Sequence, residues 1–265
     1  MKDSKLKTFI ISIFSISGFI FLFWLIVIPE GLITDIIKSS VKGENVRIGI
    51  EGFKKGLFYN FRIGKFLLNK SNDTLVSIED ISGRINPLFF FIMRLNLSFH
   101  GNIGDGTILG NINLSRNENH ISLNINSVNI DNIPLLRVIG IKGRGVLSGE
   151  FRFKNSQGDL KFFIKDAQLK NTSFSDFLVP FSFFNSIKGT MVIKGDLIEV
   201  NSISFEGKDI YARARGSVQG NNLDIKLELM PEASFTGESH IFTLLCNYKV
   251  SPGYYVIHIK TRLNI

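Results

Sequence analysis

The stretch NIPLLRVIGIKGRGVLSGEFRF, residues 132–153, decides between two folds. Its glycines, Gly143-Arg144-Gly145-Val146-Leu147-Ser148-Gly149, resemble a lengthened dinucleotide-binding loop. Such a loop needs a helix directly behind it, because the phosphate sits on the helix N-terminus. Here Glu150-Phe151-Arg152-Phe153-Lys154 follows, polar and apolar by turns. That is the period of a strand. The glycines therefore belong to a sheet, where glycine marks a bulge, a bend or a close approach of backbones.

The same pattern recurs on either side. Gly106–Asn132 superposes on Gly145–Asn171 without a gap. Gly106 and Gly110 fall on Gly145 and Gly149. Ile112 and Leu114 fall on Phe151 and Phe153, and Leu123 and Ile125 on Phe162 and Ile164. Each unit reads strand, turn, strand and a departing apolar segment, 133–139 in the first and 174–187 in the second. Both segments end in a Lys-Gly pair, Lys142-Gly143 and Lys188-Gly189. The repeats run near 106–143 and 145–189, and a degenerate third unit begins at Thr190. Alternation continues in Val46–Ile50, Phe61–Ile63, Ile203–Phe205 and Leu223–Leu229, with turn signals such as Asn155–Asp159 and Gly220-Asn221-Asn222 between strands. The expected fold is mainly β: one curved antiparallel meander sheet over 45–265, with short helical segments crossing it.

Gly106, Gly110, Gly143, Gly145 and Gly149 are read as structural. Ile112, Leu114, Leu123, Ile125, Phe151, Phe153, Phe162 and Ile164 should project to one face and line a groove, if segments 133–139 and 174–187 are all that cover it. An uncovered apolar trough is a lipid site or an interface.

Composition supports a dry sheet face. Phe occurs 25 times against five Tyr and one Trp, and a buried Phe needs no hydrogen-bond partner. The net charge of +8 is spread along strands, as on a solvated outer face, so no nucleic-acid partner is expected. Arg213 and Arg215 share one face of a strand; they read as solvated or as contacts to an anionic head group. Cys246 is the one cysteine and is expected to be a small buried hydrophobe.

Phe9–Ile28, FIISIFSISGFIFLFWLIVI, carries no charge and as a helix is about one hydrocarbon core long. Lys2, Lys5 and Lys7 precede it, which places residues 1–8 in the cytoplasm and the remainder across the membrane. A cleaved signal peptide would have a shorter apolar core and small residues at its end. Trp24 is expected at the membrane interface. Residues 29–44 form a linker with a short amphipathic helix, on the membrane surface or capping the sheet.

No catalytic, cofactor-binding or metal-ligating set is expected. His100, His120, His240 and His258 have no ligand spacing to one another or to Cys246, and Gly-x-Ser-x-Gly is absent. Glu79-Asp80 is expected at a strand end.

The order of segments carries a resemblance. An apolar N-terminal run precedes LVSIEDISGRINPLFFFIMRLNLSFHGNI (75–103), GDGTILGNINL (104–114), VNIDNIPLLRVIGIKGRGVLSGEFRF (128–153) and LKNTSFSDFLVPFSFFNSIKGTMVIKGDLIEVNSISFEGKDIYARARGSV (169–218). NYKVSPGYYVIHIKTRL (247–263) closes the chain. It resembles the type II secretion system protein N (GspN) family and, more distantly, AsmA-like repeating β-groove proteins. The first resemblance implies a single-pass inner-membrane protein with a periplasmic β domain. Such a protein is an accessory to protein export and partners other secretion or envelope proteins. The second implies a lipid-binding groove, like that of the single-span subunit of the lipopolysaccharide transport bridge. Neither implies a catalytic residue.

Overall fold

The structure is a computed structural model. It describes residues 46–71, 73–86, 94–115, 118–138, 140–174, 177–179, 181–235 and 245–262. It also describes Ser12, Ser15, Gly18, Phe19, Phe21, Leu22, Trp24, Glu30, Gly31, Thr34, Asp35 and Lys38, all with helical backbone geometry.

Among the described residues, fifteen strands form one antiparallel sheet. It opens with β1 (Val46–Glu51), β2 (Lys54–Lys55), β3 (Asn60–Lys70) and β4 (Asp73–Ile85). β5 (Leu95–Ile103), β6 (Gly106–Leu114), β7 (Asn119–Asn129), β8 (Gly143–Lys154) and β9 (Gln157–Leu169) follow. After a small separate hairpin, β10 (Thr172–Phe174) with β11 (Phe177–Val179), the sheet resumes. Its last strands are β12 (Phe184–Lys194), β13 (Leu197–Gly207), β14 (Ile210–Gln219), β15 (Asn222–Pro231), β16 (Lys249–Ser251) and β17 (Tyr254–Arg262). From β3 to β9 each strand pairs with the next in sequence, and β12 pairs with β9 across the hairpin excursion.

The hairpin turns account for this order. Lys154 pairs directly with Gln157, and Asn155 (φ 46°) and Ser156 (φ 75°) between them are both left-handed. Two left-handed central residues give the turn whose twist matches that of the flanking strands. The turn is thus shorter than the Asn155–Asp159 signal suggested, because Gln157 and Gly158 already belong to β9. Gly195-Asp196 makes an equally short link between β12 and β13.

The segment after β7 forms a helical turn, α1 (Pro134–Val138). α1 packs against β4, although β5, β6 and β7 separate the two in the sheet. The connection therefore crosses over the strands. The 174–187 segment is built differently from expectation: part of the β10–β11 hairpin, a 3-10 turn at Phe181–Phe183 and the start of β12. Lys188-Gly189 lies inside β12, not before it, because Ile187 already pairs with Ile164 and Phe205. Glu79-Asp80 lies within β4 at a register break, with Asp80 at φ 50°, instead of at a strand end.

Two expectations for the N-terminal region are corrected. Among the described residues no helix is long and apolar enough to cross a membrane. Single-pass inner-membrane anchoring, with its cytoplasmic N-terminus and periplasmic bulk, is therefore not supported. Most of Phe9–Ile28 and of the 29–44 linker lies outside the described residues. Trp24 is 3% exposed and packs on protein instead of at an interface. Its Nε1 donates to the Gly56 carbonyl at 3.2 Å, and its ring lies 5.7 Å from that of Tyr59. Hydropathy cannot separate an apolar helix facing lipid from one facing protein. Cys246 is exposed: it follows buried Leu245 in a 3-10 turn that leads out to β16.

Candidate functional site

The strand register sorts the inward-facing side chains into parallel rows. One row crosses the sheet as Val128, Leu147, Ile164, Ile187, Phe205 and Ala212, each directly opposed to the next. A second runs through Ile125, Gly149, Phe162, Gly189 and Ile203. A third holds Leu123, Phe151, Leu160 and Met191. A fourth holds Ile121, Phe153, Gly158, Ile193, Ile198 and Val218. None of these positions is charged, while Lys161, Lys188, Glu206, Arg213 and Lys226 stand on the other face.

Burial is graded across the rows. In the first, every residue but Leu147 is buried, with Val128 and Ala212 fully so. A roof covers it. Phe181 packs at a tilt 5.7 Å from Phe205, Phe183 meets Phe235 edge-on at 5.2 Å, and Ile130 and Leu245 belong to the same cluster. In the third row every residue is half-buried, and in the fourth every residue but the buried Gly158 is half-buried. No roofing residue reaches them among the described residues. Among the described residues the face is closed at one margin and open at the other.

The sequence-named residues divide along that gradient. Ile112, Leu114, Leu123, Ile125, Phe151, Phe153 and Phe162 are half-buried. Ile164 is 8% exposed and belongs to the roofed cluster. Ile112 pairs with Ile121, which pairs with Phe153, so both repeat units feed one continuous strip.

The glycines make this face possible. A methyl group on Gly110 would overlap the ring of Phe99, and one on Gly189 would overlap Phe162. On Gly106 it would meet Val128, and on Gly149 the Lys161 carbonyl. Gly143 (φ 145°) and Gly145 (φ 154°) hold backbones that other residues rarely adopt, at the register break between Arg144 and Val146. The aromatic-over-glycine pairing went unread in the sequence. Its signal was a Phe and a Gly on neighbouring strands, which only register can align.

Among the described residues no group of three or more His, Cys, Asp or Glu could hold a metal ion. A cleft of about 540 Å³ lined by Arg137, Lys142, Gly143, Arg144 and Lys170 lies at the start of β8. Its glycine opens a strand, not a helix, so it has no phosphate-loop geometry. On the outer face Lys226 and Glu228 form an ion pair 2.8 Å apart. Hydrogen bonding to Lys226 holds the Glu228 carboxyl below the usual carboxylate range. Comparison with family models, curated proteins and solved structures found no match.

Proposed function

We propose that the open margin of the apolar face binds acyl chains, and that the protein is a lipid-binding groove of the β-meander kind. One observation carries this reading. The strip through Phe151, Phe153, Ile193, Ile198 and Val218 is apolar, without charge and partly exposed, beside a margin of the same face that is roofed. A finished core would extend the roof. An uncovered uncharged strip of this length favours an apolar ligand. Extended hydrocarbon fits it because rows of side chains from successive strands offer contact along the sheet without hydrogen bonds.

Placing a photo-reactive residue at Phe153 and at Ile164 tests the reading, with lipid extraction of the purified full chain beside it. Acyl species should co-purify, and crosslink at 153 but not at the roofed 164. Absence of acyl species and of crosslinks at both positions would overturn it.

The second reading is an accessory role in protein export, favoured by the resemblance of 75–103, 128–153 and 169–218 to the GspN family. On that reading the same strip receives a protein partner, and the crosslinks at 153 carry peptide instead of lipid.

A further inference from the structure

Several bases of the outer face stand beside carboxylates on the same or a neighbouring strand: Lys65 by Glu79 at 3.1 Å, Lys188 by Glu206 at 3.2 Å, Lys260 by Asp224 at 2.9 Å. Others stand singly, such as Arg213, which donates to Ser202 Oγ at 3.1 Å. On β2 to β4 it is otherwise. Lys54 stands directly opposite Arg62, and Arg84 is diagonal to Arg62, which pairs with Ser82. Like charges directly opposed across strands destabilise a sheet. Among the described residues no carboxylate pairs with these three bases. Together with Lys55 and His100 they line a cleft of about 910 Å³ whose lining contains no acid.

The loop beside the cleft is unusual in a second, independent way. Phe58 (φ 54°) and Tyr59 (φ 62°) are left-handed, a conformation rare for bulky residues and found where structure over-determines it. Gly56 donates to the Asn60 carbonyl at 2.8 Å, closing the loop, and Trp24 Nε1 holds the Gly56 carbonyl from outside. The result presents Leu57, 59% exposed, and Phe58, 63% exposed, to solvent. Phe21 packs 5.6 Å from Phe58, and its helical neighbours Phe19 and Leu22 are exposed as well.

We propose that this loop and cleft are a peripheral docking surface for an anionic phospholipid bilayer. Leu57 and Phe58 enter the boundary between head groups and acyl chains, while Lys54, Arg62 and Arg84 receive head-group phosphates. Docking of this kind uses no spanning helix. It is independent of the acyl-chain reading, since the strip through Phe151, Phe153, Ile193, Ile198 and Val218 lies on β8, β12, β13 and β14, none of which lines this cleft. A nucleic-acid strand would need stacking platforms. Here Phe58 is the one aromatic ring at the loop tip, and the exposed side chains beside it, Leu57 and Leu22, are aliphatic, which suits hydrocarbon better than a row of bases.

Co-sedimentation of the full-length chain with vesicles tests this. Vesicles of phosphatidylcholine alone are compared with vesicles containing about one-third phosphatidylglycerol. The wild type should prefer the anionic vesicles. The double variant Arg62→Gln/Arg84→Gln should lose about 30-fold of that binding, while Lys161→Gln/Arg215→Gln, with the same charge change elsewhere on the outer face, keeps it. Leu57→Ser/Phe58→Ser should weaken binding to both vesicles. An anionic preference unchanged in the Arg62/Arg84 variant overturns the proposal. Two further outcomes also overturn it: release by inorganic phosphate that chloride at equal ionic strength does not produce, and displacement by a single-stranded oligonucleotide that binds more tightly.

Discussion

The Phe162 ring lies over Gly189. The two are directly opposed on β9 and β12, and a methyl group on Gly189 would occupy the edge of the ring. The relationship recurs where Phe61 opposes Gly83 and Phe99 opposes Gly110. Glycine alone weakens a strand; an aromatic ring laid over it restores the contact its missing side chain forfeits. Gly189→Ala should therefore destabilise the domain by about 1–3 kcal/mol through overpacking. Phe162→Ala should cost less in the Gly189→Ala background than in the wild type, so the two changes are non-additive by about 0.5–3 kcal/mol. Denaturant melts of the four proteins in the cycle measure it, and strict additivity would show that the ring and the glycine are not coupled.

Roofed and open rows should answer polar substitution differently. Ile187 is 4% exposed, and Ile187→Ser should cost about 2–5 kcal/mol by analogy with large-to-small core changes. Phe153 is half-buried at the open margin, and Phe153→Ser should cost clearly less while weakening acyl-chain binding. Equal losses of melting temperature would mean that the fourth row is core.

The meander was legible in the sequence because period-two alternation survives in strands with one wet face. Phe151, Arg152 and Phe153 show it plainly, and Asn155-Ser156 supplied the turn. β4 was hidden within the resemblance, since Asp80 and the bulge at Glu79–Ser82 break its alternation. The roof was legible in part. Segment 174–187 was expected to cover the face, and it supplies Phe181 and Phe183. Phe235 and Leu245 come from segments far away in the chain, and no local period joins them to it. The cationic cleft was missed for a related reason. Lys54, Arg62 and Arg84 look dispersed along the chain, and strand pairing alone makes them neighbours.

Gly143 and Gly145 should resist any side chain. A methyl group on Gly143 would overlap the Gln168 carbonyl, and both residues sit at φ values that favour glycine. Gly145→Ala is expected to lower the melting temperature, whereas Ser148→Ala on the same strand should change it little. Wild-type protein should show no saturable ATP or NAD binding by calorimetry. Saturable binding lost in Gly145→Ala would return the loop to a phosphate role.

Acid should erase one contribution to stability in a defined order. Glu228 is held below the usual carboxylate range by its hydrogen bond to Lys226, reinforced by Tyr254, against an opposing effect of burial. Lys226 is raised by the same contact. A carboxyl depressed in the folded state stabilises fully above its unfolded value, about 4.3 for Glu. That stabilisation falls away as pH drops through the folded value. For Lys226 the sign is reversed: its share is complete at neutral pH and is lost as pH rises through its raised folded value. Glu228→Gln should thus be less stable than wild type at pH 7, and the gap in urea midpoint should close as pH falls below about 4. Lys226→Met should narrow the acid dependence of the wild type in the same window. A gap in midpoint that stays constant from neutral to acid pH would show that packing around residue 228, and not its charge, sets the difference.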